Sequence, residues 1–478
     1  MGTTRYNTKD ATSIFAYSKG LLHKSLAEAV KEINPLIDVN EIDFKGKGGL
    51  GQLVEKFYYG YEPNSSPLPD FPEAGVELKT TPLKKDAKEN YLIKERLVCD
   101  MIDFCEIVKY SFEESPFYKK SLLMLIIFYL HVKGKPLRDL EFIYSVLWIL
   151  KDKDLVIIKH DYEVIINKIK QGKAHELSEG DTMYLAACRK GQKDDSLREQ
   201  PFSAVKAPRR AFSLKPAYMR TILDFVKNSK SDMATNTDVD IRYLELVNKE
   251  DLKNESFENI LTDRILKFKN WDYKQIARYF NMQITSKEKS KYARVVKRIF
   301  SDKLNNFEDA EEIRKAGIIV KTIRVKSNGH IKESMSFENI NYNEFLEIDD
   351  WINSRWYEII TSRFMFVVFK EDETPSPEWK DEKRFILDTV LFWTMPEKDI
   401  QTAEQYWNNI KANVISDTLE DSDNTFWTLA DNKFFHVRPK AQNMLQKCLS
   451  PISGKRVPKK AYWFNNKYIE TIIGKSSN

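Results

Sequence analysis

Asp70, Glu77 and Lys79 stand in the stretch Pro69-Asp70-Phe71-Pro72-Glu73-Ala74-Gly75-Val76-Glu77-Leu78-Lys79-Thr80-Thr81. A strand points alternate side chains to one face. If residues 76–81 form one, Glu77 and Lys79 project together while Val76 and Leu78 enter a core. Asp70, on a Pro-bounded segment, can swing its carboxylate to the same point. Two hard oxygen ligands, an ammonium and the intervening Leu78 carbonyl suit Mg²⁺. Such a site activates water and stabilises the charge of a phosphodiester being cut. An acid-x-Lys triplet alone describes an exposed ion pair on an edge strand equally well. Asp43-Phe44-Lys45, Asp272-Tyr273-Lys274 and Asp431-Asn432-Lys433 also occur in this chain. The apolar interleaving, Gly75 and the upstream Pro-Asp distinguish Glu77-Leu78-Lys79.

Other elements must position these groups. Leu22, Leu26, Val30 and Ile33 predict a helix within residues 18–33. The glycine-rich, basic turn at 45–51 opens a predicted helix, 52–59, that carries Glu55. Glycines before a helix can cradle phosphate through N–H groups, but the Lys-Ser/Thr ending of a nucleotide P-loop is missing. The apolar run at 122–130 predicts a buried strand, another apolar run follows at 142–150, and a helix is expected over 161–176. Tyr184 to Gly191 precedes a basic turn, Lys206-Ala207-Pro208-Arg209-Arg210, and a helix over 216–226.

At 478 residues the chain holds two domains or three. Hydrophobic content of 42% rules out a disordered protein. The net charge of +5 permits an anionic partner without demanding one, because 76 basic residues nearly match 71 acidic ones. Four cysteines, Cys99, Cys105, Cys188 and Cys448, lack metal-ligand spacing and read as free thiols in a reducing cytoplasm. The six histidines form no paired-ligand pattern. No secretion signal opens the sequence, and the run 122–130 is about half a membrane span.

The plan repeats. After a polar linker from about Lys227, Ala316-Gly317-Ile318-Ile319-Val320-Lys321-Thr322 overlays Ala74-Gly75-Val76-Glu77-Leu78-Lys79-Thr80, at 317 − 75 = 242. Ile331-Lys332-Glu333 matches Ile93-Lys94-Glu95 at 331 − 93 = 238, and Phe364 is set on Leu122 at 242. Pro458 to Phe464 overlays Pro208 to Leu214 at 461 − 211 = 250, which sets Arg438-Pro439-Lys440 on Cys188-Arg189-Lys190. Under the 242 offset, Glu77 becomes Ile319, Glu55 becomes Lys297 and Asp70 becomes Glu312, while Lys79 persists as Lys321. The second copy loses acids and keeps cations, as a DNA-holding domain would; ordinary solvated lysines and arginines are the plainer account of any one of them.

Several stretches carry a family resemblance: Ala74 to Lys79, Lys94-Glu95-Arg96-Leu97-Val98, Gly172-Lys173-Ala174-His175-Glu176-Leu177-Ser178-Glu179-Gly180, Arg210-Ala211-Phe212-Ser213-Leu214-Lys215, and Glu333 to Phe337. Together they resemble the Sau-three-A-I type of restriction endonuclease, which cuts duplex DNA at GATC. That family is related to the mismatch-repair nicking protein MutH, within the PD-(D/E)xK superfamily. The resemblance implies an α/β (α+β) chain of two tandem MutH-like domains, each a mixed central sheet flanked by helices. The expected boundaries are 1–230 for a catalytic domain, 231–255 for a linker and 256–478 for a DNA-binding effector domain without the catalytic acids. It implies a Mg²⁺ ion held by Asp70, Glu77 and the Leu78 carbonyl, with Lys79 catalytic and Glu55 a supporting acid.

Lys120, Lys190, Arg209, Arg210, Arg438 and Lys440 are the expected DNA contacts. Lys120 resembles a lysine near the cut phosphate. The family's Arg-Pro-Lys reading loop survives at Arg438-Pro439-Lys440, whereas the first copy has Cys188-Arg189-Lys190. Expected partners are GATC duplexes, one per copy, and a cognate DNA methyltransferase, for a cytoplasmic chain that can act as a monomer. The rival readings are a MutH-like nicking enzyme, a non-cleaving GATC-binding protein and a protein-binding scaffold.

Overall fold

The computed structural model describes residues 5–474 except 43–48, 87, 192–196, 230–232, 236–242, 349, 381 and 441–445. The chain divides into two compact units. The first comprises Met1–Tyr243, Asn248–Lys253 and Arg314–Gly317; the second comprises Leu244–Val247, Asn254–Ile313 and Ile318–Asn478.

The first unit contains β1 (Glu77–Lys85), β2 (Tyr91–Ile93), β3 (Leu97–Ile102), β4 (Leu123–Leu130), β5 (Phe142–Ile149), β6 (Leu185–Arg189), β7 (Leu197–Gln200), β8 (Ser203–Pro208), β9 (Arg210–Leu214) and β10 (Met233–Thr235). Its main sheet is mixed, in the order β10-β5-β4-β1-β2. β1 runs parallel to β4, which is antiparallel to β5. Leu-Met-Leu-Ile-Ile-Phe-Tyr-Leu in β4 lacks polar alternation because both faces are covered; Met124 to Phe128 are fully buried. A second sheet, β3-β9-β6, is antiparallel.

Two expected helices differ in form. The helix sought within 18–33 is split: a 3-10 turn covers Ser18–Leu21, and an α-helix begins at Leu26. Between them Leu22 bridges Phe142 of β5 and His23 takes φ 61°, so tertiary pairing breaks the apolar periodicity. Ser25 and Glu28 then form a capping box that restarts the helix. The helix expected at 161–176 runs over Asp152–Lys170 instead.

The second unit contains β11 (Ile319–Val325), β12 (Met335–Asn339), β13 (Phe364–Glu371), β14 (Phe385–Trp393), β15 (Phe435–Pro439), β16 (Lys447–Leu449), β17 (Arg456–Pro458) and β18 (Lys460–Phe464). Its sheets are β11-β13-β14, β12-β18-β15 and the hairpin β16-β17. Their registers reproduce those of the first unit. Glu77 faces Met124 across β1 and β4, and Ile319 faces Phe364 across β11 and β13. Cys188 pairs with Ala211, and Arg438 pairs with Ala461. Leu97 pairs with Leu214, and Met335 with Phe464.

The buried detail matches as well. Tyr218 donates to Asp154 Oδ2 at 2.7 Å, and Tyr468 donates to Asp399 Oδ2 at 2.8 Å. Each of these tyrosine rings meets a tryptophan edge-on, Trp148 in one unit and Trp393 in the other. The register corrects one detail of the repeat: Phe364 corresponds to Met124, an offset of 364 − 124 = 240. Setting it on Leu122 slips the strand by two residues, which leaves its faces unchanged and is invisible in an all-apolar run.

Candidate active site

Asp70 reaches Glu77 because the chain between them folds back on itself. Phe71 and Val76 exchange backbone hydrogen bonds of 2.9 and 3.2 Å, closing a short loop over residues 72–75. Gly75 lies in that loop at φ 67°, a conformation that glycine adopts without strain. Phe71 anchors the loop under the rings of Tyr6, Tyr59 and Tyr61. The result is an interlocked pair of carboxylates. The Asp70 N–H donates to Glu77 Oε2 at 3.2 Å, and the Leu78 N–H donates to Asp70 Oδ2 at 2.9 Å.

Lys79, two residues along β1, donates to Glu77 Oε1 at 2.7 Å. Lys120 lies 3.9 Å from the same oxygen. It extends from the last turn of the helix Pro116–Ser121, which Ser115 caps through the Tyr118 N–H. Glu77 is only 3% exposed, so these charges act at close range in a poorly solvated place.

Glu55 comes from a different element. The α-helix Leu50–Leu53 widens into a π turn over Val54–Tyr59, a distortion frequent at functional sites. A Cβ on Gly51 would stand 3.3 Å from Thr80 Oγ1 of β1 and 4.0 Å from Glu55 Oε1, so glycine lets this helix lie close to the strand. The rest of the basic turn before it, residues 43–48, lies outside the described residues.

The electrostatics show that the acids act as one group. Burial, and then the Asp70 charge, push the Glu55 carboxyl up to about 7. Burial, and then Glu77, push Asp70 up to about 6, against the Leu78 N–H, Lys79 and Lys120. Lys79 pays a burial penalty, but the charge and hydrogen bond of Glu77 still hold its ammonium above the usual lysine range. The cluster therefore has more carboxylates than its two lysines neutralise.

A hard divalent cation fits that donor set. Among the described residues no three His, Cys, Asp or Glu side chains form a ready-made metal cage. Magnesium does not need one: it is commonly held by one or two carboxylates, completing its shell with water and phosphate oxygens.

The expected DNA contacts divide. The Lys190 N–H, at the end of β6, bonds the carbonyl of the exposed Arg209 at 2.8 Å. Arg210 is a correction: it is 1% exposed in β9 and donates to the Ala187 carbonyl at 2.9 Å, so it is not presented to a phosphate. Arg209 lies in the connection between β8 and β9 and is exposed, whereas Arg210 opens β9, all of whose residues are buried. In the second unit Arg438 is exposed, with its guanidinium 5.5 Å from the centre of the Trp463 ring, and Lys440 donates to the Phe337 carbonyl. Its counterpart Cys188 is fully buried, so nothing at that position replaces the arginine.

Sequence reading missed three groups here. Asp100 of β3 is raised by burial and faces Lys120, Lys79 and Glu77. Gln52 and Tyr61 flank Glu55 with buried polar atoms that have no hydrogen-bond partner among the described residues. Asp100 had a visible signal, a lone acid in the apolar run 97–102; Tyr61 lies in an aromatic stretch that reads as core, and Gln52 among the glycines and leucines that open the helix before it.

The type II restriction enzyme Sau3AI of Staphylococcus aureus is 32% identical to this chain, over 94% of it and 92% of that protein. The chain belongs to that family. The family model for the DNA mismatch repair enzyme MutH matches residues 59–161, which span Asp70, Glu77, Lys79 and Lys120. MutH of Vibrio vulnificus (strain YJ016) is 27% identical over 43% of this chain and 88% of its own length. MutH of Shewanella woodyi is 27% identical over 37% and 77%. This Sau3AI relative is thus a type II site-specific deoxyribonuclease, with a mixed α/β fold and a MutH-like domain. Its four cysteines are free, and no helix among the described residues is long and apolar enough to cross a membrane.

Proposed function

We propose that this enzyme is a Mg²⁺-dependent endonuclease that cuts both strands of duplex DNA at GATC, and that the second unit binds another GATC site as an effector. The observation that carries the reading is the convergence of Asp70, Glu77 and Lys79 through the closed 72–75 loop. Asp70 and Glu77, with the Leu78 carbonyl, would hold the ion. Magnesium bound there would supply a polarised water and neutralise charge on the scissile phosphate. Lys79, kept protonated by Glu77, would orient the attacking water and stabilise the negative charge that develops on the phosphate. Glu55, poised near neutrality, supports the ion-binding side. Lys120 faces the phosphate.

Lys190 and Arg209 approach DNA in the first unit, while Arg438 and Lys440 do so in the second. Phosphate contacts hold the register, and lysine or arginine reads guanine acceptors in the major groove. The domain reading follows the same division, with catalysis in 1–230, a linker over 231–255 and the effector in 256–478. Such an enzyme, with two DNA sites per chain, can act as a monomer in the cytoplasm, and its host needs a cognate methyltransferase to protect its own GATC sequences.

Digestion of unmethylated, adenine-methylated and cytosine-methylated GATC duplexes with Mg²⁺, followed by sequencing of the ends, tests this. Breaks in both strands at unmethylated GATC are expected. The similarity to MutH keeps one alternative in view: a plasmid that is nicked but never linearised would identify a nicking enzyme instead.

A further inference from the structure

Tyr61 lies beside the acid cluster, tied to it at two points. Its backbone N–H donates to the Glu55 carbonyl at 3.1 Å. Its ring meets Phe71, the neighbour of Asp70, edge-on at 5.3 Å. The hydroxyl at the far end is buried and has no hydrogen-bond partner among the described residues. Gln52 Oε1, one helical turn before Glu55, is in the same condition. Buried polar groups are nearly always paired, and one left unpaired at a reactive site calls for a functional account. Burial, reinforced by Asp70, Glu55 and Glu77, holds the phenol far above its ordinary range, so it stays protonated and can only be a donor to the carboxylates.

We propose that Tyr61 is a positioning residue of the metal site, its hydroxyl donating to the Asp70–Glu55 side of the cluster when an ion draws those carboxylates together. The inference rests on the metal-dependent reading above. Groups that hydrogen-bond a ligating carboxylate fix its orientation, and their loss typically costs about 10–100-fold in metal affinity or activity. Tyr61 touches neither the ion nor the phosphate in this account. It acts through Asp70 and Glu55.

The test is Tyr61→Phe in the full-length protein, which removes one oxygen and keeps the ring packed on Phe71. Mg²⁺ binding measured by calorimetry without DNA should weaken about tenfold or more. The Mg²⁺ concentration for half-maximal cleavage should rise in parallel, and high Mg²⁺ should restore the rate. The metal-free melting temperature should hold or rise, because deleting an unpaired buried hydroxyl removes a cost. A lowered metal-free melting temperature would show that the hydroxyl serves folding and would overturn the inference. So would a Mg²⁺ affinity within about twofold of the parent, well short of the 10–100-fold expected when a supporting group is lost. A parent protein that neither binds Mg²⁺ nor cuts DNA would instead overturn the reading on which the inference rests.

Discussion

Lys79 and Lys321 occupy the same place in two copies of one fold, yet their surroundings push them in opposite directions. Lys79 sits 2.7 Å from Glu77, and that acid lifts its ammonium above the usual range. Lys321 has Ile319 where Glu77 would be, and it donates instead to the Ser336 carbonyl at 3.0 Å. Burial, with Lys440 nearby, brings it down to about 8. The second copy has lost more than one acid. Glu312, set against Asp70 by the constant offset, is fully buried and accepts from the N–H groups of Leu246 and Val247. Matching the serine-capped helices (354 − 115 = 239) places buried Ile359 where Lys120 stands. A fold therefore preserves its strand registers while the charges that it carries are exchanged wholesale.

The largest effect should come from taking Glu77 away. Glu77→Ala should lower cleavage on the order of 10³-fold or more, since several kcal/mol of charge stabilisation depend on the ion. Binding to a GATC duplex, read by electrophoretic shift, should survive. The reciprocal change, Ile319→Glu, should leave the Glu77→Ala protein inactive, because neither Asp70 nor Lys120 has a working counterpart beside it. Cutting by that double variant would show that the second copy is one residue from catalysis, and the contrast between the units would collapse.

A smaller and sharper test uses pH. Asp70 and Glu55 have folded values of about 6 and 7, above their ordinary 3.8 and 4.5. The folded state therefore binds their protons more tightly, and their contribution to metal-free stability grows as pH falls from 7 towards 5. Lys321 is lowered from 10.5 to about 8, so the folded state releases its proton early, and its contribution grows as pH rises above 8. Melting of the metal-free protein should show Glu55→Gln flattening the acid side and Lys321→Met flattening the alkaline side. On the proposed metal-dependent reading Mg²⁺ competes with protons at the acids, so it should erase the first slope and spare the second. If Lys321→Met altered the acid limb, the two lysines would not be in separate environments.

Much of this was legible before any coordinates. The convergence of Asp70, Glu77 and Lys79 was legible because a strand's period of two and a glycine turn bring them to one place. The repeat was legible from small polar and basic signposts, but its alignment slipped at Met124, where consecutive apolar residues offer no marker of register. Arg210 misled because basic residues in a row suggest a surface loop, whereas β9 is the middle strand of its sheet and all five of its residues are buried. Tyr61 and Gln52 were invisible for the opposite reason: what marks them is a buried polar atom without a hydrogen-bond partner among the described residues, and no spacing encodes that.

The smallest effect separates shared architecture from local embellishment. Tyr218 and Tyr468 each donate to an aspartate near the start of a 19-residue helix. Removing either hydroxyl leaves a carboxylate short of a donor, at about 1.5–3 kcal/mol for a charged acceptor. Tyr218→Phe should cost more, because that hydroxyl also accepts from Trp148 Nε1 at 3.3 Å. Against this, Lys315 donates to both oxygens of Asp154, at 2.8 and 2.9 Å, and softens the loss of one bond to that acid. Chemical denaturation of both variants weighs the two terms. A Tyr468→Phe change that costs nothing would mean that the matched tyrosines are a relic of ancestry and do not hold the repeat together.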